Sequence, residues 1–221
     1  DEVFSQLSQG NTNGVFQIES RGMREMTLAI QPDRLDDIMA TISLFRPGPL
    51  GSGMDRMYIN RKHGREKVKF PHPNLAEVLE TSYGIMLYQE DVLNVAKVAA
   101  GYSAAEADDL RKVMGKNLMD KVAQYRTHFV EGCVKNSGMT ETLANKLFSD
   151  IEFFAGYGFN RAHAASYAVI AYWTAWLKVH YPDEYMAALM TSCSEKRSRL
   201  PSYLHECKRM GIEVAAPSIL E

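Results

Sequence analysis

Ala164-Ala-Ser-Tyr-Ala-Val-Ile-Ala-Tyr-Trp-Thr-Ala-Trp-Leu177 is the longest uncharged apolar stretch of the chain, and its reading decides the fold class. It is rich in alanine, holds no glycine or proline, and is bounded by His163 and Lys178. It is well short of the roughly 20 apolar residues that a membrane span needs. It reads instead as the middle of a long, buried soluble helix that runs to Tyr181. The aromatics Tyr167, Tyr172, Trp173, Trp176 and Tyr181 then read as packing groups rather than stacking groups. Tyr167 is the exception to consider, because it lies one turn past His163 on the same face. Pro182 suits the first position of the next helix, with Asp183 and Glu184 favourable in its first turn.

Helical signals continue on both sides of that stretch. Ser103-Ala-Ala-Glu106 has the form of a capping box, in which each end residue satisfies a backbone donor of the other. Helices are expected over 21–31, 33–44, 90–100, from Ser103 onward, over about 117–136, and from a Thr140 cap to about 154. A last one lies near 201–210, ended by Gly211 and followed by an extended 212–215. Leu35, Ile38, Met39 and Ile42 repeat at helical spacing and should face a core. Arg46-Pro47-Gly48-Pro49 ends the second helix, since two prolines around a glycine cannot continue it. Residues 51–74, with glycines, prolines and many cations, read as a loop, and 75–80 as a short helix. Val15–Ile18 and Ile85–Tyr88 read as extended pieces. The expected fold is mainly α, a multi-helix domain with a few short strands near the N-terminal side.

The chain has 221 residues, 46% of them hydrophobic and 24% charged, and a formal net charge of −2. That is enough length for a substantial core, and the balance excludes a chain that is basic throughout. Any nucleic-acid contact must come from local cationic patches. Three cysteines without framework or metal-ligand spacing point to free thiols and a cytoplasmic setting. The Asp1-Glu2 start carries no signal-peptide pattern and no initiating Met, which suggests excision from a longer protein.

Several segments could carry chemistry. Gly156-Tyr-Gly158-Phe-Asn160-Arg161-Ala-His163 combines glycines that allow close backbone approach with a helix start that presents N–H groups to an anion. The same segment also reads as a plain helix connection capped by Asn160. Arg111, Lys112 and Lys116 could hold a triphosphate, or form a solvated face in which Asp108 pairs with Arg111 or Lys112. Arg46 sits on a rigid corner that would hold one geometry at low entropic cost. Its plain alternative is an exposed helix-terminal arginine. Arg56, Arg61, Lys62, Arg65, Lys67 and Lys69, against Glu66 alone, form the most basic window and suit a nucleic-acid backbone. The plain alternative is a solvated loop. Tyr88-Gln89 sets a ring beside an amide, able to touch a base or sugar, or else to serve as core with a wet tip. Asp36-Asp37 and Asp108-Asp109 lie on amphipathic helices without the strand setting that converges carboxylates on two cations. They are set aside as a catalytic centre, and the histidines show no ligand spacing.

Seven segments then occur in order. They are Val15-Phe-Gln-Ile-Glu-Ser-Arg-Gly-Met23, Leu44-Phe-Arg-Pro-Gly-Pro49, Arg61-Lys-His-Gly64 and Tyr83-Gly-Ile-Met-Leu-Tyr-Gln-Glu90. After these come Ala100-Gly-Tyr-Ser103, Leu110-Arg-Lys-Val-Met-Gly-Lys116 and Phe154-Ala-Gly-Tyr-Gly-Phe-Asn-Arg-Ala-His163. The series, covering about 15–188, resembles the C family of bacterial replicative DNA polymerases, the DNA polymerase III α subunits. It corresponds to their fingers region.

The resemblance implies a helical fingers domain that closes over the nascent base pair and the incoming dNTP, part of a nucleotidyltransferase. It implies triphosphate contacts from Arg46, Arg111, Lys112, Lys116, Asn160, Arg161 and His163. DNA contacts are expected from Arg56, Arg61, Lys62, Arg65, Lys67, Tyr88 and Gln89. Arg111-Lys112 stands where the family has Arg-Arg, so one bidentate fork is lost. Asn160-Arg161-Ala162-His163 stands where it has Asn-Lys-Ser-His, so a hydroxyl is lost. The family's three metal-binding aspartates belong to the palm, so the catalytic residues and Mg2+ ligands are expected outside this chain, and the piece alone should be inactive. The implied partners are primer-template DNA and dNTP, and, through other regions, the sliding clamp, the clamp-loader τ subunit and a proofreading exonuclease; no membrane is implied. The expected layout is a junction from the palm over 1–20, the fingers over 21–195, and a C-terminal helix and exit over 196–221. The rival readings are an error-prone C-family paralogue and a stand-alone nucleic-acid-binding helical module.

Overall fold

A computed structural model describes residues 1–115, 119–155, 158–193 and 198–216. The chain divides into two compact units, residues 1–42 with 165–221 and residues 43–164. The first contains α1 (Glu2–Ser8), α2 (Arg21–Ile30), most of α3 (Leu35–Leu44), α12 (Pro182–Ser192) and α13 (Leu200–Met210). The second contains α4 (Pro47–Ser52), α5 (Met54–Lys62), α6 (Ala76–Leu79), α7 (Gln89–Ala100), α8 (Ala104–Gly115), α9 (Met119–Ser137) and α10 (Glu141–Ala155). Helix α11 (Arg161–His180) has its first turn in the second unit and the remainder in the first. No described helix is long and apolar enough to cross a membrane.

In the second unit α7 is central and packs on α8 and α9, with α10 laid against α9. Val92, Val95, Ala96 and Ala99 recur at helical spacing and are buried, as are Leu110, Phe129, Leu147, Phe148 and Ile151 from the neighbouring helices. α9 comes so close to α7 at Gly132 that an added Cβ would lie 2.3 Å from the Ala100 carbonyl oxygen, so only glycine fits there. Burial pushes the adjacent Cys133 thiol up to about 12, which leaves it an inert packing group.

Local capping chemistry sets many of the helix ends. Ser103 N–H donates to Glu106 Oε2 (2.8 Å) and Glu106 N–H to Ser103 Oγ (3.3 Å), the expected box at the start of α8. Leu143 N–H donates to Thr140 Oγ1 (3.3 Å) before α10, and Pro182 opens α12 as expected. In the first unit, Val3, Leu7, Ile30 and Ile38 are buried, and Met186, Tyr203 and Cys207 form a small core between α12 and α13. Lys178, buried on α11, donates to Asn13 O (2.7 Å) and Glu206 Oε1 (2.5 Å), tying the 11–13 segment to α13.

The structure corrects three sequence expectations. No strand ladder forms among the described residues, and the short strands expected near the N-terminal side are absent. Residues 15–18 form tight turns: Val15 N–H donates to Thr12 O (3.0 Å), Ile18 N–H donates to Val15 O (3.3 Å), and Gln17 takes φ 64°. Val15 and Ile18 are both buried. A three-residue separation turned inward suits a turn, whereas a strand's period of two would point them apart. Residues 85–88 pair only at one bridge, Tyr88 with Phe159.

The 51–74 loop is largely helical at its start, because Pro47 supplies the first residue of α4 where no N–H is needed, and Gly53, in the left-handed region, hands over to α5. Tyr58 fixes α5 by burying its ring edge-on to Tyr83, at 5.1 Å between centroids.

The long apolar helix α11 is buried on one side only. Ala164, Ala168, Ala171 and Ala175 are buried, while Trp173 is 62% exposed and Ile170, Trp176, Leu177 and Tyr181 are also exposed. The small side chains face the core because they let neighbouring backbone come close, and the bulky rings are left outside. Hydropathy summed along the stretch does not resolve that sidedness.

Candidate functional site

The site is built on a short backbone frame in the second unit. Phe159 N–H donates to Leu87 O (3.3 Å), and Gln89 N–H donates to Phe159 O (2.9 Å). The Gln89 side-chain amide donates to Gly158 O (3.4 Å). This joins the start of α7 to the segment before α11. Buried Asp91 accepts from the backbone N–H groups of Leu87 (2.8 Å) and Tyr88 (2.9 Å), which fixes the strand-like approach to α7. Burial pushes its carboxyl up to about 6, against the lowering effect of those two hydrogen bonds and of Arg161.

Phe159 gathers groups from distant motifs. The Arg46 guanidinium lies 4.8 Å from its ring centroid, and the His163 ring meets it edge-on at 5.4 Å. Arg161 places its guanidinium 5.5 Å from the centroid of Tyr88, a ring that is itself buried. Such contacts hold long cationic side chains in place. Asn160 caps α11 as expected, with Oδ1 accepting from His163 N–H (2.8 Å). The N–H of Arg161 is taken by Glu90 Oε2 (2.9 Å).

A second group stands on α8. Arg111 is held by Asp108 through Nε (3.1 Å) and a terminal nitrogen (2.9 Å), and Lys112 Nζ lies 2.7 Å from the same carboxylate. These two pairings hold the Asp108 carboxyl below the usual range, Lys112 first and Arg111 second. Arg111, Gln89, Gly158, Phe154 and Gly115 line one cavity of about 40 Å3. Arg111 thus shares a lining with the Gln89–Gly158 end of the backbone frame. Lys116 lies outside the described residues.

The basic window divides in two. Arg56, Arg65 and Lys67 are exposed. The Arg61 side chain is 9% exposed and donates to Tyr83 O (2.9 Å) and Glu66 Oε1 (3.0 Å), so it holds the approach to the 83–90 segment. Lys62 is half-buried at the end of α5.

No group of three or more His, Cys, Asp or Glu that could hold a metal occurs among the described residues. Asp37 is buried and accepts from Asp33 N–H (3.1 Å), while Asp108 is engaged by Arg111 and Lys112.

Sequence reasoning missed Phe159 as the hub and Glu90 and Asp91 as anchors. Asp91, three residues past Tyr88, carried a capping signal. Glu90 did not, because its partners lie 70 and 71 residues away.

A family model described as the bacterial DNA polymerase III alpha subunit finger domain matches residues 1–137, and the chain belongs to that family. The DNA polymerase III subunit alpha of Vibrio cholerae is 48% identical over 221 residues, covering 98% of this chain and 19% of the relative. That of Escherichia coli is 47% identical and that of Pseudomonas aeruginosa 45%, with the same two coverages. The chain therefore spans about one fifth of the length of these relatives.

Proposed function

We propose that this chain grips the triphosphate of an incoming dNTP, and borders primer-template DNA, within a template-directed DNA polymerase. One observation carries this reading: Arg46, Arg161 and His163 converge on the Phe159–Tyr88 rings, and Arg111 shares a cavity with the Gln89–Gly158 end of the same frame. Cations anchored on neighbouring rings are suited to a polyphosphate, whose charge they neutralise and whose geometry they fix. Asn160 serves by orienting the first turn of α11, and Lys112 and Lys116 add charge along the same motif. Exposed Arg56, Arg65 and Lys67, with Lys62 beside them, would follow the DNA backbone in a salt-dependent, sequence-independent manner. Arg61 contributes by holding the 83–90 segment, on which Tyr88 and Gln89 border the substrate.

In this reading the metal-binding carboxylates and Mg2+ lie in regions beyond the residues of this chain, and the piece alone incorporates no nucleotide. Contacts with the sliding clamp, the clamp-loader τ subunit and a proofreading exonuclease fall to those regions as well. The test is primer extension by a complete α subunit carrying this sequence. Arg111→Ala and His163→Ala should each lower kcat/KM for dNTP by on the order of 10²-fold. Extension by both variants at the parent rate would overturn the reading.

A further inference from the structure

We propose that Glu90 is a positioning residue of the triphosphate grip, and that the backbone amides of Arg161 and His163, in the first turn of α11, take no part in holding phosphate. The inference rests on the reading of the site given above. A helix start behind a glycine-containing loop is ordinarily a ready anion site, because its first N–H groups have no partner in the helix. Here the two that bracket the first turn are already engaged. Arg161 N–H donates to Glu90 Oε2 (2.9 Å), and His163 N–H donates to Asn160 Oδ1 (2.8 Å). The remaining oxygen of Glu90 accepts from the Asn160 side-chain amide (3.1 Å). One carboxylate thereby fixes both the helix end and the orientation of its cap. It also places a fixed negative charge at the positive end of α11, where a charge of that sign is favoured.

The effect reaches the cations through the rings. Glu90 lies two residues after Tyr88, the ring beneath Arg161, and grips Asn160, the residue next to Phe159, the ring between Arg46 and His163. Besides the Glu90 carboxylate, the frame is joined by the two backbone bonds of the Tyr88–Phe159 bridge, by the Gln89–Gly158 contact and by Arg161 over Tyr88. Without that carboxylate the three cations would lose a common register. Phosphate oxygens arriving at this site meet guanidinium and imidazole donors, since the Arg161 and His163 amides behind them are engaged by the Glu90 carboxylate and by the Asn160 side-chain oxygen.

The experiment measures dNTP KM and kcat in primer extension, together with the thermal midpoint, for Glu90→Ala and Glu90→Gln in a complete α subunit. Glu90→Ala should raise KM on the order of tenfold while kcat changes by less than about threefold. Glu90→Gln retains one acceptor oxygen for Arg161 N–H and should recover part of that rise. A lowered midpoint or active fraction with KM unchanged would reduce Glu90 to a structural tie and overturn the proposal. A fall in KM for Glu90→Ala would mean that the carboxylate competes with phosphate for the amides, which also overturns it. Arg111→Ala, run in parallel, separates the two levels. If Arg111→Ala leaves kcat/KM unchanged, the triphosphate reading itself fails. If it lowers kcat/KM while Glu90→Ala leaves KM unchanged, only the role of Glu90 fails.

Discussion

Asp91 and Glu206 are buried carboxylates, one in each unit, 2% and 5% exposed, and burial has opposite outcomes for them. Asp91 is pushed up to about 6, because two neutral backbone N–H groups do not offset the loss of water around a charge. Burial acts in the same direction on Glu206. There it is outweighed by Arg209 and Lys178, which both hydrogen-bond the carboxylate and carry charge, and the group falls to about 2. Lys178, within the same pair, is drawn below the usual lysine range by its own burial. Donor count is similar in the two places and donor charge is not. Charge on the donor decides whether a buried acid holds its proton more tightly or less tightly than it would in water.

The contrast can be broken most directly at Lys178. Lys178→Met removes one partner of a buried pair and leaves Glu206 with Arg209 alone, and should lower unfolding free energy by about 3–5 kcal/mol. Urea denaturation of the chain at neutral pH measures this. A variant as stable as the parent would show that Arg209 suffices and that the ion pair is not what distinguishes the two sites.

The next effect is a pH dependence. Folded Asp91 holds its proton more tightly than the unfolded chain does, so its contribution to stability falls as pH rises from about 4 to about 6, by on the order of 3 kcal/mol. Glu206 runs the other way: its contribution is present above the ordinary carboxylate range and is lost as pH falls toward 2. Asp91→Asn keeps an acceptor for Leu87 and Tyr88 and cannot ionise. Its stability relative to the parent should therefore rise between pH 4 and pH 7, and a difference that stays flat would remove Asp91 from the comparison.

The smallest effect sharpens the role of burial. Asp108 pairs with two cations, as Glu206 does, but on an open helix face. Asp108→Asn should leave the denaturation midpoint where it was, since solvent already screens the pair. A shift comparable to that of Lys178→Met would separate ion-pair energy from burial altogether.

What could be read from the sequence followed the range of the interactions. The Ser103–Glu106 box, the Thr140 cap and Pro182 at the start of α12 are decided within three or four residues, and each stands where the pattern placed it. The 51–74 segment reads as a loop because its glycines and prolines are local signals, whereas the edge-on packing of Tyr58 against Tyr83 is not. The same holds for the site. Arg46, Arg111, Asn160, Arg161 and His163 stood out as residue types in suggestive loops. The ring that brings Arg46 beside His163, and the carboxylate that anchors the loop, depend on pairings across some 70 to 110 positions. Asp108 holding Arg111 and Lys112 was foreseeable from spacing, because all three lie within one helical turn.

The outward-facing rings of α11 carry a practical consequence. The chain has two tryptophans, Trp173 and Trp176, and both stand on the part of α11 that belongs to the first unit. Intrinsic fluorescence is therefore a reporter of that unit alone, with His180, 4.5 Å from the Trp176 ring, placed to quench it when protonated. Far-ultraviolet dichroism sums the helices of both units. Melting curves recorded by the two signals will coincide if the units unfold as one, and will part if the cation-bearing unit opens on its own.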